Sequence, residues 1–173
     1  VPDAEMLLLL RITYDFHNVK VLLKSMLRHR RGQPRRWDLL TNLASYATDG
    51  LLTAIESEDY RLLPYGLSRV MEDCLSVWDQ TQDIVEVEKR LDAQLFRSLG
   101  ELAKATAFPG VLRWFRARVD AENLRNLLRL KRTGEDGAKI VSFMHEGGHV
   151  SQERLVELMG EPVESWSRVL HYT

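Results

Sequence analysis

The sequence predicts an all-α protein made of repeated helical bundles, and three observations carry that expectation. Apolar residues recur at steps of three and four along most of the chain. No segment alternates convincingly with period two, and one helical stretch occurs twice. The first copy is Tyr14-Asp15-Phe16-His17-Asn18-Val19-Lys20-Val21-Leu22-Leu23-Lys24. The second is Val119-Asp120-Ala121-Glu122-Asn123-Leu124-Arg125-Asn126-Leu127-Leu128-Arg129. The offset between equivalent residues is 105 throughout, from Leu7 and Leu112 through Arg11 and Arg116 to Leu23 and Leu128. Lys20 and Lys24 recur as Arg125 and Arg129.

The spacing identifies the repeated element as a long helix. Leu9, Ile12, Phe16, Val19, Leu23 and Leu27 form one apolar stripe. Beside it runs a row of Arg11, Asp15, Asn18 and Leu22, matched in the second copy by Arg116, Asp120, Asn123 and Leu127. Asp and Asn are poor residues inside a helix because their side chains compete for backbone groups. Keeping both, twice, beside a buried stripe points to hydrogen bonds across to a neighbouring helix or loop. The alternative is a solvated Arg–Asp pair four residues apart, worth roughly 0.3–0.5 kcal/mol. The repetition in register favours the structural contact, and neither reading makes a catalytic site.

Taken in order, the first helix is expected from about Asp3 to Arg31, stopped by Gly32 and Pro34. Around that break lie Arg28, His29, Arg30, Arg31, Arg35 and Arg36, a cluster that suits a helix C-terminus or an acidic or lipid surface. Shorter helices are expected over Trp37–Ala47 and Gly50–Ser57, and Pro64 is expected to open the next helix, which carries Cys74 on its apolar face. A well-patterned helix follows Asp83, with Ile84, Val87, Leu91, Leu95 and Leu99. Pro109 to Arg132 is the second long helix, followed by a loop over 133–137 and a short helix over 138–144. Ser151 is placed to cap a helix from Gln152 to Met159. These elements divide into a first repeat, about 1–108, and an incomplete second repeat, 109–173.

Composition and motifs exclude several classes of function. A net charge of −1 argues against a dedicated nucleic-acid binder. The single Cys74 leaves no disulfide framework, and the aliphatic run from Met6 to Leu10 is far too short for a membrane span. The chain opens on Val1-Pro2 inside a helical pattern, as a piece of a longer protein would. His145-Glu146-Gly147-Gly148-His149 satisfies H-E-x-x-H, the signature of zinc-dependent hydrolases. That chemistry needs one turn of helix, and a Gly pair costs roughly 1 kcal/mol per residue against Ala inside one. The stretch therefore reads as a helix-terminating loop without metal, on which loss of the His149 ring should cost little.

At the repeated stretch the sequence resembles the C subunit of the prokaryotic V/A-type ATPases, the counterpart of the eukaryotic d subunit. Tyr14 to Lys24 looks like that family's signature, and Asp120 to Arg125 with Leu128-Arg129-Leu130-Lys131 is similar to its second copy. Gly147-Gly148-His149-Val150-Ser151, then Leu155 and Leu170-His171-Tyr172, fit its continuation. The resemblance implies three similar helical bundles arranged as a funnel. It implies a protein with no catalytic site and no cofactor, peripheral to the cytoplasmic face of the membrane. Its partners would be the D and F proteins of the central axle and the membrane rotor ring, coupling ATP turnover to proton or sodium movement. The paired cations Lys20 and Lys24, with Arg125 and Arg129, are then candidates for partner binding. Against the family pattern, the glycine turn of the second copy has no clean counterpart near Leu43-Ala44-Ser45, so the first repeat is expected to close differently. Two other classes remain open on the residues alone: a helical-repeat adaptor that binds peptides, and a zinc hydrolase using His145, Glu146 and His149.

Overall fold

The computed structural model describes residues 2–134 and 137–170, and every regular element among them is a helix. The chain divides into two compact units, 1–106 and 107–173.

The first unit holds α1 (Pro2–His29), α2 (Thr48–Glu56), α3 (Leu67–Thr81) and α4 (Ile84–Ala105). Nothing between residue 3 and Gly32 breaks a helix, so α1 runs for 28 residues. Its stripe Leu9, Ile12, Phe16, Val19, Leu23 and Leu27 is buried along its whole length. α1 packs on α4 and α2, and α3 packs on α4. Leu67, Met71 and Cys74 of α3 and Val87, Leu91 and Leu99 of α4 are fully enclosed. Asp83 caps α4, its carboxylate accepting the Val85 amide at 2.8 Å.

Two stretches depart from the helices expected for this unit. Residues 37–47 do not form one: a single 3-10 turn covers Trp37–Leu39, and the chain then runs irregularly to α2. The amides of Thr41, Ser45 and Tyr46 are bonded to side chains of α1, so they cannot close a helical ladder. Pro64 does not open α3 either. Its carbonyl accepts the Leu67 amide at 2.9 Å in a turn where Tyr65 and Gly66 both take positive φ, a backbone no right-handed helix contains.

The second unit holds α5 (Pro109–Thr133), α6 (Gly137–Val141), α7 (Gln152–Glu157) and α8 (Trp166–Val169), joined by short 3-10 turns. Pro109 occupies the first turn of α5, where its lacking N–H is not needed. Leu127 and Leu130 of α5 meet Ile140, Phe143, Met144, Leu155, Leu158 and Trp166 in one apolar cluster. Ser151 caps α7 as expected, accepting the Arg154 amide at 3.3 Å. Lys131 donates to the carbonyls of Met159 and Glu161 at 2.7 and 2.8 Å, fixing the turn after α7. Of the loop expected over 133–137, Glu135 and Asp136 lie outside the described residues. No helix among those described is long and apolar enough to cross a membrane.

Burial separates positions that matter to the fold from those that do not. Leu91→Ala empties a fully enclosed site and should cost about 2–5 kcal/mol in urea denaturation. Leu62→Ala, at a side chain 91% exposed, should stay within about 0.5 kcal/mol of the parent chain.

Candidate functional site

The residues that repeat in the sequence converge on a backbone lock that each unit builds once. In the first unit, Asn18 grips Thr41 from both sides. Its Nδ2 donates to the Thr41 carbonyl at 2.8 Å, and its Oδ1 accepts the Thr41 amide at 3.0 Å. Three residues earlier, Asp15 Oδ1 accepts the amides of Ser45 and Tyr46 at 2.8 and 2.9 Å. In the second unit, Asn123 grips His145 in the same way, at 2.9 and 2.8 Å. Asp120 accepts the amides of His149 and Val150 at 3.0 and 3.1 Å. All four side chains are buried.

Both locks are therefore the same device. The helical partners stand 105 apart and the loop partners 104 apart, since Thr41, Ser45 and Tyr46 match His145, His149 and Val150. One residue fewer in the second connection absorbs the difference. The expectation that the first repeat closes differently is corrected: its loop meets the same two side chains through the same backbone groups. The loop contact, not the solvated Arg–Asp pair, accounts for Asp15 and Asp120. Arg11 and Arg116 are exposed, and Arg11 acts on Asp15 only as a nearby charge.

The copies differ where their side chains differ. Gly148 approaches Asp120 so closely that an added Cβ would stand 2.1 Å from Oδ1, and Gly147 has φ +96° beside the Phe115 ring. The position equivalent to Gly148 holds Ala44, and there a single carboxylate oxygen accepts both amides. Asp120 uses both oxygens, and Oδ2 is also 3.0 Å from His149 Nδ1. Asp15 Oδ2 is buried and has no hydrogen-bond partner among the described residues. Burial accordingly holds the Asp15 carboxyl above its ordinary range, against the lowering pull of the Tyr46 and Ser45 amides and of Arg11. A further carbonyl has swapped donors between copies. His17 Nε2 lies 2.9 Å from the Leu39 carbonyl oxygen, whereas the matching Phe143 carbonyl takes its bond from Asn126 at 3.0 Å.

In both locks the Asn amides and at least one oxygen of each Asp carboxylate are engaged in holding backbone. The His145–His149 stretch is a bend and not a helical turn. The backbone of His145 is held by Asn123, and the His149 ring is turned to Asp120. The zinc-hydrolase geometry is therefore not formed, and no cluster of three metal-ligating side chains occurs among the described residues. His149 lies on a loop, as expected, and its ring contacts the buried Asp120 carboxylate. Cys74 is enclosed against the Val87 carbonyl, and burial pushes its thiol up to about 12.

The cations fall into two groups. Lys20 is paired with Asp92, and Lys24 with Glu88 at 2.6 Å, both on α4. Arg125 and Arg129 stay exposed on α5, Arg125 against Glu122 of its own helix and Arg129 over the Phe143 ring at 5.6 Å. The basic cluster after α1 is tied down within its unit. Arg30 meets Glu58, Arg35 meets Glu56 at 2.5 Å, and Arg31 lies 4.4 Å above the Trp78 ring.

Among its described residues the chain is all-helical and builds the same lock in each unit. The sequence model for the ATP synthase (C/AC39) subunit family matches residues 1–173, and the chain belongs to that family, whose members are non-catalytic subunits of rotary ATPases. It is similar to the C subunits of the V-type ATP synthases of two Thermus thermophilus strains. Each is 28% identical over 165 residues, covering 91% of this chain and 47% of the relative. The chain thus spans about half the length of the curated relatives it matches. No solved structure matches it.

The two carboxylates should respond differently to Asn. Asp120→Asn turns an amide donor toward a backbone N–H and should cost about 1–3 kcal/mol in urea denaturation at neutral pH. Asp15→Asn retains an oxygen for both amides and removes a buried charge, so it should cost less. Because the folded carboxyl of Asp15 binds its proton more tightly than the unfolded one, this group lowers stability as pH rises from the ordinary carboxylate value through the raised one. In Asp15→Asn that part of the pH dependence should vanish.

Proposed function

We propose that the polypeptide carrying this chain is a non-catalytic central-stalk subunit of a V/A-type ATPase. It links the D and F proteins of the rotating axle to the membrane rotor ring, peripheral to the cytoplasmic face, in ion transport coupled to ATP. The family match along residues 1–173 is the observation that carries this reading. The locks support it physically. A coupler must pass torque between partners without yielding, and buried hydrogen-bonded polar contacts hold elements in one arrangement. Both long helices are fastened to their loops in this way.

The reading is tested in membrane vesicles from cells that lack the polypeptide. ATP-driven ion uptake should be lost while the detached head still hydrolyses ATP, and the wild-type gene should restore uptake. A fold-retaining Asn123→Ala variant, which frees the His145 backbone, should restore uptake less than the parent. Ion uptake that persists without the polypeptide would overturn the stalk role.

A further inference from the structure

Asp15 and Asp120 hold equivalent places, yet only Asp120 has both oxygens in use. Its Oδ1 takes the Val150 amide, and its Oδ2 takes the His149 amide and lies against the His149 ring. In the first lock the Ser45 and Tyr46 amides both go to Asp15 Oδ1. Oδ2 is left buried, in a residue 1% exposed, with no hydrogen-bond partner among the described residues.

A second grip, made from α4, sets aromatic rings beside this lock. Gln94 Nε2 and Ser98 Oγ donate to the Tyr65 carbonyl at 2.7 and 3.0 Å, and both side chains are buried. They hold a turn in which Tyr65 and Gly66 take φ +57° and +70°, and a Cβ on Gly66 would stand 2.7 Å from Gln94 Nε2. The Tyr65 ring thereby lies 6.3 Å from that of Phe16 and 6.5 Å from that of Tyr46, between centroids.

The surroundings favour a neutral Asp15. Burial raises its carboxyl and outweighs the Tyr46 and Ser45 amides, Arg11 and the Ser45 hydroxyl, which lower it. Arg11, on α1 itself, is the charged group in that set. The strap 40–47 brings the Tyr46 phenol, and the turn before α3 brings the Tyr65 phenol, pushed up to about 12 by burial first and then by Asp15 and Tyr46. Among the described residues no charge of α2 or α4 acts on Asp15. A proton on Oδ2 would remove the buried charge and leave the Oδ1 lone pairs free for both amides. Without it, a charged oxygen stays buried without a partner, which costs more than a neutral one.

We infer that Asp15 is a proton-binding site that makes the first lock a pH-sensitive latch. With the proton on Oδ2 the strap 40–47 is held to α1, and with the proton gone it parts from α1 more readily while α1, α3 and α4 stay packed. The second lock, with both carboxylate oxygens engaged, has no such orphan oxygen to neutralise. The held carboxyl binds its proton more tightly than the freed one. The hold is therefore full below the ordinary carboxylate value and is lost as pH rises through the raised one. Within that window each pH unit shifts the opening equilibrium by up to about tenfold. This inference does not rest on the stalk reading.

Hydrogen exchange with mass spectrometry on the natural polypeptide tests it from about pH 4 to about pH 8, with rates divided by the intrinsic rate at each pH. Protection of the peptide spanning 40–47 should fall as pH rises and then level off, and should stay below that of α4 at every pH. In Asp15→Asn, which cannot titrate, the fall should disappear. A flat profile in the parent chain would overturn the inference, as would a fall that persists in Asp15→Asn. Equal protection of the strap and α4 would also overturn it, since the strap would then open only with the whole unit. Should Asp15→Asn fail to fold, NMR of the Asp15 carboxyl carbon in the parent chain decides. A midpoint above the ordinary carboxylate value supports the latch, and one at or below it overturns the latch.

Discussion

In both units an irregular stretch that follows a long helix folds back along that helix, and its backbone still needs partners. Buried amides and carbonyls left unpaired cost on the order of 1–3 kcal/mol each. Asp15 with Asn18, and Asp120 with Asn123, supply those partners from the helix surface. Much else follows from that constraint. The loop after α1 cannot be helical because its amides are already taken, and the loop before α7 must bring a glycine against the carboxylate. The apolar cluster of the second unit includes Phe143 and Met144, which directly precede the gripped His145.

The same constraint shapes the protein's chemistry. The features that look reactive in one dimension are two aspartates, a histidine pair with a glutamate, and a thiol. In three dimensions the aspartates and histidines bind backbone or each other, and the thiol is enclosed. Side chains used in this way hold the loops in one arrangement, because a bonded buried network resists rearrangement. The surface pairs Lys20–Asp92 and Lys24–Glu88 contribute less to stability, being about one quarter to one third exposed, and their order follows the antiparallel run of α1 and α4.

Periodicity and repetition were enough to establish the all-α fold, the long helices, the stripe on α1 and the two copies of Asp and Asn, because each is written in side-chain spacing along one element. The burial of Cys74 and the Ser151 cap were legible for the same reason. What Asp and Asn bond to was not legible, because their partners are backbone groups of Thr41, Ser45, Tyr46, His145, His149 and Val150, which carry no side-chain signal. Only the tertiary structure could decide that residues 37–47 give up a helix to satisfy α1. It also decided that the His149 ring turns to Asp120. Those outcomes depend on which distant groups come within hydrogen-bonding or packing distance, and local spacing does not encode that.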